Sequence, residues 1–141
     1  MAYCTQTDIE EQLTPDGLAQ LSDDADLGEA DASVMARAIE DADARIDSYC
    51  VNRYSVPFSP VPVLVRKISV DLAIYDLMSR RFNEVPEERR RRFTDAISFL
   101  KDVGAGKATL GADATPTNTG QTVETVLPTR RFTRDKLGGL L

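Results

Sequence analysis

A chain of 141 residues, 42% of them hydrophobic, suits one domain with its own apolar core and makes a second domain of ordinary size improbable. It contains no histidine, which excludes imidazole acid–base catalysis, a Ser-His-Asp triad and the usual zinc ligand sets, and with them most hydrolase chemistry. The net charge of −6 is unevenly placed: residues 1–50 hold thirteen acids and two bases, residues 51–111 seven acids and eleven bases, and residues 112–141 three acids and four bases, an asymmetry able to steer one copy's acidic surface towards a neighbour's basic one.

No apolar run reaches the length of a membrane span, and the start MAYCTQTDIEEQ lacks the basic and apolar segments of a signal peptide, so a soluble, non-secreted protein is expected. Thr7 to Glu10 reads T-D-I-E, a capping-box pattern that predicts a short helix beginning there. Thr14-Pro15 predicts a second, with Thr14 as N-cap, Pro15 at the first helical position and Leu18 and Leu21 inward. Residues 22–31, SDDADLGEAD, carry five acids, no base and one glycine. They read as an exposed loop that delivers Asp31 as N-cap of the next helix. The order of Asp24, Asp26 and Gly28 does not supply the alternating ligands and closing glutamate of an EF-hand, so no metal loop is read here.

From Ala32 to Tyr54 the chain is expected to form one long amphipathic helix and a tight exit. Val34, Met35, Ala38, Ile39, Ala42, Ile46, Tyr49 and Cys50 recur at three- and four-residue steps and share a face. Arg37, Asp41 and Arg45 form an alternating-sign ladder on the opposite, solvated face. Cys50 lies on the apolar face and far from Cys4, so it reads as a small buried hydrophobe rather than a disulfide partner. Asn52 is the expected left-handed cap, and the three prolines of VNRYSVPFSPVP prevent the helix from resuming.

Pro62 opens the following helix, with Leu64, Val65, Ile68, Leu72, Tyr75 and Met78 as its apolar stripe. Asp71 falls on or beside that stripe. A buried carboxylate without a partner is costly, so Arg53 and Asp71 are expected to form a structural polar core. Pro86 starts a further helix, with Glu87 and Glu88 in the first turn where the dipole favours acids. Arg89, Arg90, Arg91 and Arg92 suggest nucleic acid at first sight, but at 100° per residue they fan over most of the helix circumference. Pairing within the helix or between subunits is the expected use, with Asp23, Asp24 and Asp26 as acidic counterparts on a neighbour. Phe93, Ala96, Ile97, Leu100 and Val103 give this helix its apolar face, and Gly104 and Gly106 end it.

The run GAGKAT at 104–109 lacks the glycine, the hydroxyl residue and the preceding strand of a phosphate-binding loop. Residues 112–122 have no apolar period and read as a flexible linker. Val123 to Leu127 alternates briefly, and RRFTRDKLGGLL closes the chain with Phe132 and Leu137 among bases, a tail suited to docking onto something else. The expected fold is all-α: a small bundle of four to five helices with a long central helix over residues 1–111, followed by an extended flexible C-terminal arm over 112–141.

The start AYCTQTDIEEQL, the helix end Ile46-Asp47-Ser48-Tyr49, and Arg53-Tyr54 followed by Pro57 resemble a known family. So do Pro62, Leu64, Ile68, Asp71-Leu72-Ala73, Tyr75, Phe99-Leu100, Gly104, Leu110-Gly111 and Arg131-Phe132-Thr133-Arg134-Asp135-Lys136-Leu137. The order and spacing resemble the phage Mu-type head-completion, or head-tail connector, proteins of long-tailed phages and prophages. That resemblance implies a non-enzymatic adaptor without cofactor or metal, assembled in the bacterial host cytoplasm and located in the virion neck. It further implies a homo-oligomeric ring of twelve subunits beneath a portal protein, in contact with a tail-side neck or stopper protein. DNA would pass through without sequence-specific binding, and no membrane is involved. The portal-docking arm would comprise Arg130, Arg131, Phe132, Arg134 and Leu137. The alternative from the residues alone is a small nucleic-acid-binding module using Arg89–Arg92 and the basic tail.

Overall fold

The computed structural model describes residues 1–111. The expected arm residues Arg130, Arg131, Phe132, Arg134 and Leu137, and the linker before them, lie outside the described residues. Five helices follow one another: α1 (Gln6–Glu10), α2 (Pro15–Ser22), α3 (Ala32–Cys50), α4 (Val63–Arg81) and α5 (Glu87–Gly104). Among the described residues there is no strand, and no helix is long and apolar enough to cross a membrane. The described residues form an all-α bundle.

Local chemistry places the helix starts. The Thr14 side chain accepts from the Gly17 amide at 3.2 Å with Pro15 behind it, and Asp31 accepts from Ser33 N at 2.8 Å and Val34 N at 3.4 Å. Both caps satisfy amides that a helix start otherwise orphans. Pro62 and Pro86 stand one position earlier than expected, at the N-cap, and make no side-chain capping bond. Helix α1 starts at Gln6 rather than at the T-D-I-E segment: Thr5 is the N-cap, and Thr5 and Asp8 form the reciprocal capping box. The sequence T-Q-T-D-I-E holds two overlapping boxes. Burial of Tyr3 and Cys4 just before Thr5 favours the earlier one.

Helices α3, α4 and α5 pack up-down-up. Val34 and Ala38 lie beside Leu77 and Arg80, while Asp43 meets Ser69, so α3 and α4 run antiparallel. Tyr75 stacks on Phe93, and Leu64 neighbours Phe99, so α5 returns along α4. Met35, Ile46, Val65, Leu72, Ile74, Leu77, Leu100 and Val103 fill the space between them, and Ile9, Leu18 and Leu21 cover one flank. Cys4 and Cys50 are both buried free thiols. Burial pushes each up to about 11.

Helix α3 ends differently from expectation. Val51 at the C-cap and Asn52 keep negative φ, and Arg53 and Tyr54 donate back to the Cys50 carbonyl at 2.9 Å each. A hydrogen-bonded turn, not a left-handed Asn52, closes the helix. The segment onward holds cis Val56–Pro57 and Ser59–Pro60 bonds. It also buries Phe58 between the rings of Tyr3 and Tyr54, at 5.7 and 5.9 Å. At the end of α5, Gly104 is the last helical residue and Gly106 turns the chain at φ 82°. There Tyr54 Oη accepts from the Leu110 amide at 3.2 Å.

Candidate functional site

Four polar groupings stand out. The first is buried where the N-terminus meets α3 and α4. Asp43 accepts from the Tyr3 amide at 2.9 Å and from the Ser69 hydroxyl at 2.7 Å, and Ser69 Oγ lies 3.2 Å from Cys4 Sγ. Tyr3 Oη donates to Asp47 and accepts from the Phe58 amide at 3.1 Å. Burial raises the Asp43 carboxyl above the usual range, against the pull of its two donors. Sequence reading missed this group, although a signal was present. Ile39, Asp43, Ile46 and Cys50 step by four, three and four, so Asp43 belongs to the buried stripe.

The second grouping is the 22–31 loop. Asp23 accepts from Leu27 N at 3.0 Å and Gly28 N at 2.6 Å. These bonds, the Leu27 amide foremost, hold its carboxyl below the ordinary value. Asp24 meets both guanidinium nitrogens of Arg80 at 2.8–3.0 Å and Arg81 at 3.0 Å. Asp24, expected at a subunit border, is therefore engaged within its own chain, and Asp26 stays exposed at φ 59°.

The third is the arginine run on α5. Arg92 pairs with Glu88 at 2.7 Å, one turn back, and Arg90 lies 3.9 Å from Glu84. Arg89 and Arg92 both donate to Gln12 Oε1, at 3.1 and 3.4 Å. Arg91 is exposed. The run thus fans around the helix, partly tied to α5 and partly to the N-terminal segment. The α3 ladder is also less solvated than expected. Arg45 reaches Asp76 at 3.3 Å and lies 5.4 Å over the Phe93 ring, so it joins α3 to α4 and α5.

The fourth corrects the expected Arg53–Asp71 pair. Arg53 donates to the carbonyls of Val103 at 3.2 Å and Ala108 at 3.5 Å, where the end of α5 leaves acceptors free. Asp71 instead opens into a cleft of about 220 Å³ between α4 and α5, walled by Leu64, Ile68, Phe99 and Lys67. Its Oδ1 is buried without a hydrogen-bond partner. Burial raises the Asp71 carboxyl, and Arg92, Lys67 and Arg89 offset this only at a distance. The two residues were paired in expectation because each needed a partner, yet Arg53 is taken up by the end of α5 while Asp71 sits mid-helix on α4 with Oδ1 unpartnered.

Three of these groupings brace helices and loops against one another, and the fourth leaves Asp71 facing a cleft. Among the described residues, no three His, Cys, Asp or Glu side chains gather where they could hold a metal ion. The family model described as Bacteriophage Mu, Gp36 matches residues 3–127. The chain belongs to the Bacteriophage Mu Gp36 family. The span that carries Gp36 membership starts at the buried Tyr3, takes in all five helices and continues beyond Gly111. The Mu-like prophage FluMu protein gp36 of Haemophilus influenzae is 28% identical over 109 residues, covering 77% of this chain and 75% of the relative. This Gp36 chain is thus a helical protein of the Mu-type phage and prophage group.

Proposed function

We propose that this chain is a structural head-tail connector of the virion, forming a ring under the portal that extends the DNA channel and joins head to tail. Gp36-family membership over residues 3–127 carries the reading, together with the resemblance of the chain's motif order to Mu-type head-completion proteins. The bundle suits such a part. Its polar groups are used for bracing: Asp43 on Ser69, Arg45 on Asp76, Asp24 on Arg80. In this reading the basic segment 128–141, with Arg130, Arg131, Phe132, Arg134 and Leu137, docks onto the portal. Repeated weak contacts add through multivalency.

The test uses the purified full chain with and without a Mu-type portal protein, followed by light scattering and electron microscopy. Rings on the portal are expected. Removing residues 128–141 is expected to leave helicity and thermal melting almost unchanged while abolishing attachment. A truncated chain that still binds the portal would reject the docking role of that segment.

A further inference from the structure

Leu27 and Val63 are large apolar side chains that the bundle leaves to solvent, 78% and 74% exposed. They stand at opposite ends of α4: Val63 is its first residue, while the loop of Leu27 is clamped through Asp24 to Arg80 and Arg81 at its last turn. At 1.5 Å per residue the two ends are about 27 Å apart.

The backbone at Leu27 is held by the two carboxylates that precede it in the loop. Asp23 holds the amides of Leu27 and Gly28, and Asp24 chelates Arg80. The leucine is therefore presented at the tip of a braced loop while contributing nothing to its own core. The far end of α4 carries an apolar depression of about 430 Å³, formed by Val63, Leu64, Lys67, Thr109, Leu110 and Gly111. Charge decides between possible occupants. Asp26 and Glu29 flank Leu27, and the ten-residue loop has no base, so pairing two such loops would set acid against acid. The depression has Lys67 on its wall, and Arg66 and Lys107 are exposed nearby in the chain.

We infer that Leu27 of one copy seats in the Val63–Leu64–Leu110 depression of a second copy, with Asp26 and Glu29 facing Lys67, Arg66 and Lys107. Because the two patches are unlike and lie at opposite ends of α4, the contact is head-to-tail, and a chain of such contacts closes into a ring or extends as a filament according to its rotation. Closure into a ring rests on the connector reading; the contact itself does not. One leucine and a few charges make a small interface, so association should be weak in dilute solution and strengthen with concentration and at low salt.

Full-length Leu27→Cys and Val63→Cys variants test the contact, one carrying a mass tag, mixed in air with dioxygen as oxidant. Cys4 and Cys50 are buried with thiol pKa values near 11, so they stay out of the reaction. The mixture is expected to give a disulfide-linked heterodimer several-fold in excess of any dimer from either variant alone. In parallel, Leu27→Asp and Lys67→Glu should each weaken self-association at least tenfold by light scattering, with unchanged circular dichroism. A heterodimer yield no higher than that of the single variants overturns the inference. Oligomers that persist unchanged in Leu27→Asp overturn the contact and leave the connector reading standing. Absence of any wild-type oligomer, alone and with portal, overturns both.

Discussion

Tyr3 donates its hydroxyl to Asp47, 44 residues along the chain, and through the same oxygen accepts the amide of Phe58. One side chain before the first helix thus ties the middle helix to the turn that follows it. Burial, reinforced by the neighbouring carboxylate, raises the phenol far above its ordinary value, so it stays a neutral donor at any physiological pH. Tyr3→Phe keeps the ring between its neighbours but strips the Phe58 amide and Asp47 of their partner. The expected loss is about 1–3 kcal/mol, the usual consequence of an orphaned buried donor. Urea unfolding should show a lower midpoint with an unchanged slope.

Helix α5 comes so close to α3 that only glycine fits at one point. A β-carbon on Gly104 would lie 2.8 Å from the Tyr49 carbonyl oxygen, a backbone atom that cannot rotate away. Gly104→Ala should therefore force the two helices apart and cost about 1–3 kcal/mol, as overpacking does. Ser98→Ala, at an exposed position of the same helix, should change the melting temperature little.

Asp71 gives a pH signature. Its carboxyl is raised by burial, so between the unfolded value near 4 and the raised folded value the native state binds more protons than the unfolded one. The Asp71 contribution to stability therefore falls as pH rises through that window. Asp71→Leu removes the unpartnered oxygen and sets an aliphatic side chain beside Leu64, Ile68 and Phe99. At pH 7 it should stabilise by about 1 kcal/mol. The advantage should shrink towards pH 4, as the native carboxyl takes up its proton ahead of the unfolded one. Denaturant titrations of both proteins at pH 4, 5.5 and 7 check this, and an advantage that grows on acidification would contradict the placement of Asp71.

Much of this architecture was legible because local chemistry announces helix starts. Thr14-Pro15, Asp31, Pro62 and Pro86 each mark one, and the three- and four-residue apolar steps of α3, α4 and α5 define their inner faces. What stayed hidden depends on contacts distant in sequence. Asp43 could be placed on the buried stripe, but its donors come from Tyr3 and Ser69, 40 and 26 residues away. Arg53 reached carbonyls at the end of α5 because the turn after α3 points there, which no pattern near residue 53 encodes. The bracing of Asp24 by Arg80 and Arg81 is long-range in the same sense. It engages within the chain a charge that the sequence alone offered to a neighbour.

The arginine run yields the last prediction, because its neighbours set how much charge is available to phosphate. Duplex DNA binding releases counterions roughly in proportion to the phosphates neutralised, so affinity follows the number of bases that can face one backbone. Arg92 is paired with Glu88, Arg89 and Arg92 are turned together towards Gln12, Arg90 lies near Glu84 on another side, and Arg91 is exposed. A common phosphate-tracking stripe does not form. In an electrophoretic shift titration at about 0.15 M salt, the full chain should leave duplex DNA unshifted, and replacing Arg90 and Arg91 by glutamine should change nothing. A retarded complex that disappears when Arg89–Arg92 are neutralised would restore nucleic acid as the direct partner of this helix.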